Sequence, residues 1–219
     1  MKQFVVIGLG RFGSSVAKTL NKKGCEVLAI DSDYEKVQAF SNEVTHVVQA
    51  DATDKESLRS VGVNNFDVAV VSIGENKHAN ILATLILKEL GVEYVVSKAQ
   101  DELHGKLLDK VGADEIVHPE RDMGIRIANN LVSANVLDYM ELAPHYSITE
   151  FIASEEFCGK NLKQLNLREK YGVNIIAIMS DSFEEEINLS PTAEYVVKED
   201  DVLVIIGHDD DLKKLKKED

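Results

Sequence analysis

Short apolar runs alternate with segments of helical periodicity over the first 117 residues of the chain. The apolar runs are QFVVI (3–7), CEVLAI (25–30), THVVQA (45–50), FDVAVVSI (66–73), EYVVSKA (93–99) and EIV (115–117). The helical segments between them are 11–23, 34–42, 54–61, 76–90 and 101–111. Strands that are apolar throughout are typical of a parallel sheet covered by helices on both faces. The pattern predicts an α/β fold with a Rossmann-like, doubly wound parallel sheet.

Glycines punctuate this alternation. Gly24, Gly62, Gly91 and Gly112 each follow a predicted helix by about one residue. Helices commonly end on a residue in the left-handed conformation, which glycine adopts most easily. We therefore expect positive φ angles at all four positions.

The pattern changes after residue 118. Pro119 stands at a helix start, and apolar residues fall on one stripe of a helix predicted over 119–138. The stripe consists of Met123, Ile127, Leu131, Val132 and Leu137. We expect it to pack between subunits; a last helix that covers its own sheet is the alternative. Pro144 marks a boundary, so the sequence predicts domains at 1–118 and 144–219, joined by a linker or crossover helix over 119–143.

The C-terminal region reads as a small α+β domain of four or five strands. Its pieces are SITEFIA (147–153), NLKQLNLREKYG (161–172), VNIIAIMS (173–180), EEEINLS (184–190), DDVLVIIG (200–207) and HDDDLKKLKK (208–217).

Composition excludes some classes of function. The net charge is −14 and no Lys/Arg-rich block is present, so we expect no nucleic-acid partner. Cys25 and Cys158 lie far apart without metal-ligand spacing, which fits a reducing cytoplasm. No apolar stretch reaches the roughly 18 residues of a membrane span. We expect a soluble, cytoplasmic protein that is able to dock on a membrane protein.

The first helix follows a glycine loop, VVIGLGRFG. Gly8 suits the turn, Gly10 lets the backbone approach phosphate, and Gly13 lets helix and strand pack closely. Such a motif alone also fits a plain strand-to-helix turn. Here a second strand follows and ends in Asp31, an acid placed to bind ribose hydroxyls and repel a 2′-phosphate. The loop therefore predicts a site for NAD(H) or an adenosine nucleotide.

Further candidate contacts lie in the loop and at the carboxyl ends of the strands, where this architecture binds ligands. They are Arg11, Phe12, Ser32, Asp51, Ala52, Ser72, Ile73, Gly74, Lys98 and Glu120. Arg11 either clamps phosphate or is a solvated surface cation. Asp51 either contacts the adenine side or caps the helix that follows.

Catalytic residues are harder to find. Tyr94 and Lys98 have the Y-x-x-x-K spacing of short-chain dehydrogenases, but the segment reads as a strand. At about 3.3 Å per residue the two side chains would stand roughly 13 Å apart. His118 is a candidate general base or metal ligand, or a local hydrogen-bonding group. The sequence predicts a nucleotide sensor rather than an enzyme, with an NAD-dependent dehydrogenase as the alternative.

The chain resembles the regulatory subunits of Ktr/Trk-type potassium uptake, which are built from an RCK (or KTN) domain. The resemblance rests on FVVIGLGRFG (4–13), AID (29–31), KAQ (98–100), HPERDM (118–123) and the small C-terminal domain. It implies dimers that assemble into an octameric gating ring and bind ATP, ADP or NAD(H). It also implies a membrane potassium channel subunit as partner, on the inner face of the cell membrane.

The resemblance also assigns roles to matching residues. Arg11 would reach the γ-phosphate, including across the dimer interface, and Asp31 would hold the ribose. Glu120 would lie near the phosphates and help hold Mg²⁺ or Ca²⁺ between neighbouring subunits. Lys98 would belong to the same polar rim.

The C-terminal domain resembles the TrkA-C (RCK-C) module, which in related proteins of Gram-positive bacteria binds cyclic di-AMP at a dimer interface. Apolar candidates for the purine faces are Leu162, Leu165, Ile175, Ile176 and Pro191. Arg168 would bind phosphate and Asn174 would bind an adenine edge. The alternative is that these residues form only the core of the module, with Arg168 solvated.

Overall fold

A computed structural model describes residues 2–132, 136–180 and 187–215 of the chain. The chain divides into two compact units, Met1–Glu120 and Arg121–Asp219. Each unit has its own sheet.

The N-terminal unit contains a six-stranded parallel sheet in the order β3-β2-β1-β4-β5-β6. The strands are β1 Gln3–Ile7, β2 Glu26–Asp31, β3 His46–Gln49, β4 Val68–Val71, β5 Tyr94–Lys98 and β6 Glu115–Val117. The helices are α1 Arg11–Lys22, α2 Tyr34–Phe40, α3 Lys55–Ser60, α4 Lys77–Glu89 and α5 Glu102–Lys110, with a 3-10 turn at Val63–Asn65. The predicted doubly wound fold is confirmed.

Both faces of this sheet are buried, which explains the continuous apolar runs. In β1, Val5 and Ile7 belong to one core together with Leu58 and Leu87. Val6, between them, belongs to a second core that includes Phe40. Alternate side chains of a strand point to opposite faces, so a sheet covered on both sides needs apolar residues at successive positions. The four predicted cap glycines all have positive φ angles, between 77° and 100°.

The strand order reverses between β1 and β4. The chain winds from β1 outward through β2 and β3, and then returns to β4 on the other side of β1. The connections leaving β1 and β4 therefore diverge and leave a crevice at their carboxyl ends.

The C-terminal unit has an antiparallel sheet in the order β10-β9-β11-β8-β7. Its elements are β7 Val136–Ala143, β8 Tyr146–Ile152, α7 Leu162–Leu165, α8 Leu167–Tyr171, β9 Asn174–Met179, β10 Ile187–Asn188, β11 Val202–His208 and α9 Asp209–Leu215. Phe151, Leu203 and Leu212 lie in its core. The predicted small α+β domain is confirmed, although residues 184–186 and 216–217 of the predicted pieces lie outside the described residues.

Helix α6 is shorter than predicted. It spans Pro119–Val132 instead of 119–138, and Val136–Ala143 forms strand β7. The predicted linker of 119–143 is therefore wrong in its second half, and the second sheet begins before residue 144. The physical reason is a hairpin: β7 pairs with β8 around Pro144 and His145, and His145 has the positive φ of 69° that a tight turn uses.

The described part of the α6 stripe is exposed. Met123, Ile127 and Leu131 are 49%, 50% and 81% accessible. The side chains of Val132 and Leu137 lie outside the described residues. Packing between subunits requires such exposure, and remains a prediction. In the described part of the chain, no helix is both long enough and apolar enough to cross a bilayer.

Candidate nucleotide-binding site

The glycine loop connects β1 to α1, and two of its glycines are fixed by close backbone approaches. Gly8 has φ of +93°. A Cβ on Gly13 would stand 2.0 Å from the Gly8 carbonyl oxygen and 2.3 Å from Ser72 Oγ. Ser72 Oγ in turn donates to the Gly8 carbonyl at 2.7 Å. Gly8 and Gly13 therefore hold strand, loop and helix together, as the sequence predicts.

Gly10 has a different role, because a Cβ added there would meet no atom within 4 Å. Gly10 is the N-cap residue of α1 and no side chain caps this helix. Ser14 N donates to the Gly10 carbonyl at 2.9 Å, the first backbone bond of the helix. The N–H groups of the first turn thus have no side-chain cap, which is the arrangement that binds anions.

Asp31 anchors the loop from the end of β2. Asp31 is 8% exposed, and its carboxylate accepts hydrogen bonds from Leu9 N (2.7 Å, to Oδ2) and Asp33 N (2.9 Å, to Oδ1). Lys36 Nζ lies 3.8 Å from Oδ2. Each carboxylate oxygen accepts more than one bond, so a ribose hydroxyl still has a place. The sequence predicts the ribose contact but not the bond to Leu9.

Asp51 follows β3 and folds back on its own turn. Its Oδ1 accepts from Thr53 N (2.9 Å) and Thr53 Oγ1 (2.7 Å), and these bonds lower the pKa of the Asp51 carboxyl. The cap of helix α3 is Asp54, which accepts from Glu56 N and Ser57 N. Asp51 therefore does not cap the helix, and the adenine contact is the prediction that remains.

Asn80 of helix α4 ties together the ends of two strands. It is fully buried, and its Nδ2 donates to the carbonyls of Ile73 (3.0 Å) and Lys98 (3.2 Å). One side chain thus fixes the peptide after β4 and the last residue of β5. Sequence reasoning missed Asn80, although an amide in the apolar helix KHANILATLILKE is a visible signal.

Lys98 and Glu120 form the far wall of the crevice. Lys98 Nζ lies 2.5 Å from Glu120 Oε1 and 6.0 Å from the centre of the Phe12 ring. The bond to Lys98 is the main cause that lowers the pKa of Glu120. Tyr94 Oη donates instead to Glu115 Oε2 at 2.9 Å. Tyr94 and Lys98 lie on a strand, as predicted, and each bonds a different carboxylate.

Thirteen of the fourteen predicted contacts line one cleft of about 830 Å³. They are Gly8, Gly10, Arg11, Phe12, Asp31, Ser32, Asp51, Ala52, Ser72, Ile73, Gly74, Lys98 and Glu120. Gly13 lies behind the loop. The cleft also contains residues that the sequence analysis missed: Ile7, Lys36, Ala50, Thr53, Glu75, Asn76 and Ala79. Arg11 is exposed at its rim and has no ion pair with any described residue.

His118 lies away from the cleft. Its ring faces Gly105, where an added Cβ would stand 3.3 Å from His118 Cε1 and Nε2. Across 2–132, 136–180 and 187–215, no group of three or more His, Cys, Asp or Glu side chains could hold a metal ion. A cation at Glu120 would therefore need ligands from elsewhere, such as the nucleotide or a second subunit.

The structure does not bring the seven candidates for a second ligand into one pocket of a single chain. Leu165 is 3% exposed in the core of the C-terminal unit, and Leu162 and Ile175 pack against that core. Arg168, Asn174 and Ile176 are exposed, and Pro191 is partly buried. A cleft of about 400 Å³ in this unit is lined by Leu165 but by none of the other six candidates. This packing favours the core alternative at Leu162, Leu165 and Ile175.

Comparison with known proteins places this geometry in a family. The TrkA-N domain model matches residues 4–119, and the TrkA-C domain model matches residues 149–218. The Ktr system potassium uptake protein C of Bacillus subtilis (strain 168) is 48% identical over 216 residues, which cover 99% of this chain and 96% of that protein. The chain belongs to the Ktr family of potassium uptake proteins. A second Ktr relative, protein A of the same organism, is 47% identical over 99% of this chain and 96% of its own length.

Solved structures agree with the Ktr assignment at the level of the fold. The GsuK RCK domain has a TM-score of 0.69 at 19% identity and covers 98% of this chain, which spans 47% of that chain. The GsuK channel bound to NAD has a TM-score of 0.55 at 25% identity over 98% of this chain and 38% of its own. GsuK bound to ADP has a TM-score of 0.52 at 29% identity over 60% of this chain and 34% of its own.

Proposed function

We propose that this Ktr family member is a nucleotide-sensing regulatory subunit that gates a membrane potassium channel subunit. The observation that carries the proposal is the cleft at the carboxyl ends of β1 and β4, where the strand order reverses. Its phosphate end has an uncapped helix terminus and an open Gly10, and its ribose end has an anchored Asp31. Arg11 stands at the rim and forms no ion pair with any described residue. Such a cleft suits a ligand that has phosphates at one end and a ribose at the other.

The ligand class is an adenosine nucleotide: ATP, ADP or NAD(H). The GsuK structures bound to NAD and to ADP support this choice, since they share the fold. The buried negative charge of Asp31 disfavours a 2′-phosphate, so NADP(H) should bind less tightly. Mg²⁺ or Ca²⁺ at Glu120 stays a prediction; a carboxylate near phosphates is a suitable oxygen ligand for either cation.

The assembly that we propose is a homodimer that builds an octameric ring on the inner face of the membrane. The exposed apolar residues of α6 support contacts between subunits. The names of the two Bacillus subtilis relatives support a potassium uptake system as the context. The domain division that we propose is a nucleotide-binding unit and a C-terminal unit joined through α6.

Catalysis is not part of the proposal. Tyr94 and Lys98 bond different carboxylates, and His118 faces Gly105. The alternative is an NAD-dependent dehydrogenase, which needs a proton-transfer group beside the nicotinamide. Titration with ATP, ADP and NADH, followed by turnover assays with a substrate panel, separates the two functions. NADH oxidation by any substrate in the panel would overturn the sensor proposal.

A cyclic di-AMP site shared by two C-terminal units is the second part of the proposal. Asn174 and Ile176 both lie on β9 and both are exposed. Arg168 is exposed on α8, close to β9 in sequence. A two-fold interface would present each group twice to a two-fold symmetric ligand.

The nucleotide site is tested by Gly10→Asp, with Gly10→Ala as the matched control. Both add a Cβ in open space, but only Asp adds a charge that repels phosphate. We expect Gly10→Asp to weaken ATP and ADP binding at least about 100-fold and Gly10→Ala to weaken it far less. Calorimetry measures both, and circular dichroism checks the fold. Wild-type affinity in Gly10→Asp would disprove the assigned site.

A further inference from the structure

We propose that Lys98 exchanges partners when a nucleotide binds: its ammonium group leaves the Glu120 carboxylate and bonds the nucleotide phosphates. Glu120 then acts as a competitor of the nucleotide when no divalent cation is present. This inference rests on the proposed nucleotide site and concerns how that site is regulated.

The two partners of this ion pair differ in burial. The Lys98 side chain is 12% exposed, whereas the Glu120 side chain is 71% exposed. Water solvates a released Glu120 carboxylate well, because most of its surface is accessible. A nearly buried ammonium without a partner is costly. Lys98 therefore leaves Glu120 only for another anion.

The position of Lys98 offers that anion. Its ammonium lies in the cleft that contains the glycine loop, 6.0 Å from the Phe12 ring in the first turn of α1. A Cβ added to Gly74 would stand 3.7 Å from Lys98 Nζ, so the ammonium group also lies close to the Gly74 backbone. The uncapped N-terminus of α1 and Lys98 thus present positive charge to the same cleft. Phosphates held at that terminus would bring several negative charges to Lys98, compared with the one charge of Glu120.

Asn80 holds the backbone of Lys98 during such an exchange. Its bonds to the carbonyls of Ile73 and Lys98 fix the end of β5, so the change is confined to the lysine side chain. On the other partner, Glu120 is the second residue of α6, which continues to Val132 beyond the boundary between the two units. Release of Glu120 therefore changes the contacts of the first turn of α6.

The decisive measurement is ADP binding by calorimetry in excess EDTA, with wild-type full chain and three variants. Glu120→Gln removes the competing charge and should tighten ADP about threefold to tenfold. Lys98→Met removes the phosphate partner and should weaken ADP about tenfold. In the double variant the gain from Glu120→Gln should vanish, because it acts through Lys98.

Glu75→Gln is the matched control. Glu75 is an exposed acid that lines the same cleft but has no ion pair with Lys98. It reports the general effect of removing one negative charge, so Glu120→Gln must tighten ADP more than Glu75→Gln does. Thermal unfolding of each variant checks that the fold is retained.

The possible outcomes separate this inference from the proposed function. If wild-type protein does not bind ADP at all, both are overturned. If it binds but Glu120→Gln leaves or lowers the affinity in EDTA, only the exchange is wrong, and Glu120 positions Lys98 instead. An equal gain from Glu120→Gln in the presence and absence of Lys98 would also overturn the exchange.

Discussion

The two units of the molecule collect polar residues in different ways. In the N-terminal unit all strands run parallel, so the residues that follow each strand meet at one edge of the sheet. Gly8, Asp31, Asp51, Ile73 and Lys98 come from five different strand ends and line one cleft. In the antiparallel C-terminal unit, neighbouring strands end on opposite edges. Its candidate ligand residues are accordingly split between the core and the surface.

The direction of the strands decides whether one chain can bring such residues together. Parallel topology collects the predicted contacts in one cleft of a single chain, whereas the ligand proposed for the antiparallel unit would need a second unit to enclose it. Substitutions in both units test this contrast.

Gly13→Ala should have the largest effect. The new Cβ would overlap the Gly8 carbonyl oxygen at 2.0 Å, and this backbone atom is fixed by the loop. We expect a loss of about 3 kcal/mol in the free energy of unfolding and no measurable nucleotide binding. Thermal and urea unfolding measure the first, and calorimetry the second. Gly10→Ala, with open space around its Cβ, is the control; equal stabilities of the two would contradict the packing role of Gly13.

Asn80→Leu tests whether the strand ends of the parallel sheet depend on the buried Asn80 side chain. Two carbonyls, of Ile73 and Lys98, would lose their partner inside the protein. We expect a loss of about 2 kcal/mol of stability and about tenfold weaker nucleotide binding. Thr84→Val removes a buried hydroxyl of the same helix, bonded to Ser97 Oγ at 2.7 Å and outside the cleft. Thr84→Val should lower the stability but not the nucleotide affinity. A similar loss of nucleotide affinity in both variants would contradict the role of the Asn80 side chain in the site.

Arg11→Ala tests the rim of the same cleft. If Arg11 binds the γ-phosphate, ATP affinity should fall about tenfold and ADP affinity much less. Calorimetry with both nucleotides measures the ratio. Arg59→Ala, which removes an exposed arginine paired with Glu56, should change neither. Equal losses for ATP and ADP would mean that Arg11 is only a surface cation.

Arg168→Ala should have the smallest effect on ligand binding. Arg168 is exposed in the single chain, and we expect it to contact a ligand only where a second C-terminal unit encloses that ligand. We expect about fivefold weaker cyclic di-AMP binding to the full-length protein, with no change in stability. Lys170→Ala removes a cation from the same helix α8 and serves as the control. Absence of cyclic di-AMP binding to wild-type protein would remove this part of the proposal.

The sequence predicts the N-terminal unit well because its signals are local. Each strand of the sheet is an apolar run, and the glycine loop is a short contiguous motif that directly follows the first strand. The site residues that escaped prediction act over distance: Asn80 contacts two strand ends, and Lys36 reaches Asp31 from the next helix. Such contacts depend on how helices are placed on the sheet, which no short motif records.

The prediction of a helix over 119–138 was wrong in its last residues for a related reason. Apolar residues at Val132 and Leu137 continue a helical period, but strand β7 gains its hydrogen bonds from β8, a partner that follows in the chain. Pairing with a neighbouring strand overrides a weak local preference. The turn at His145 was the available signal, since Pro144 directly precedes it.

The bond between Asp31 and Leu9 N has a consequence for protein engineering. The usual way to redirect such a cleft toward NADP(H) is to replace the acid at the end of the second strand. Here that acid also supports the glycine loop through its hydrogen bond with Leu9 N. A small or basic substitute would therefore loosen the phosphate end of the cleft while it altered the ribose end. Asp31→Asn retains an acceptor for Leu9 N and removes the charge, and Lys36 already stands 3.8 Å away to meet a 2′-phosphate. A substitution at Asp31 that changes the charge therefore also weakens the support of the glycine loop unless it keeps an acceptor for Leu9 N.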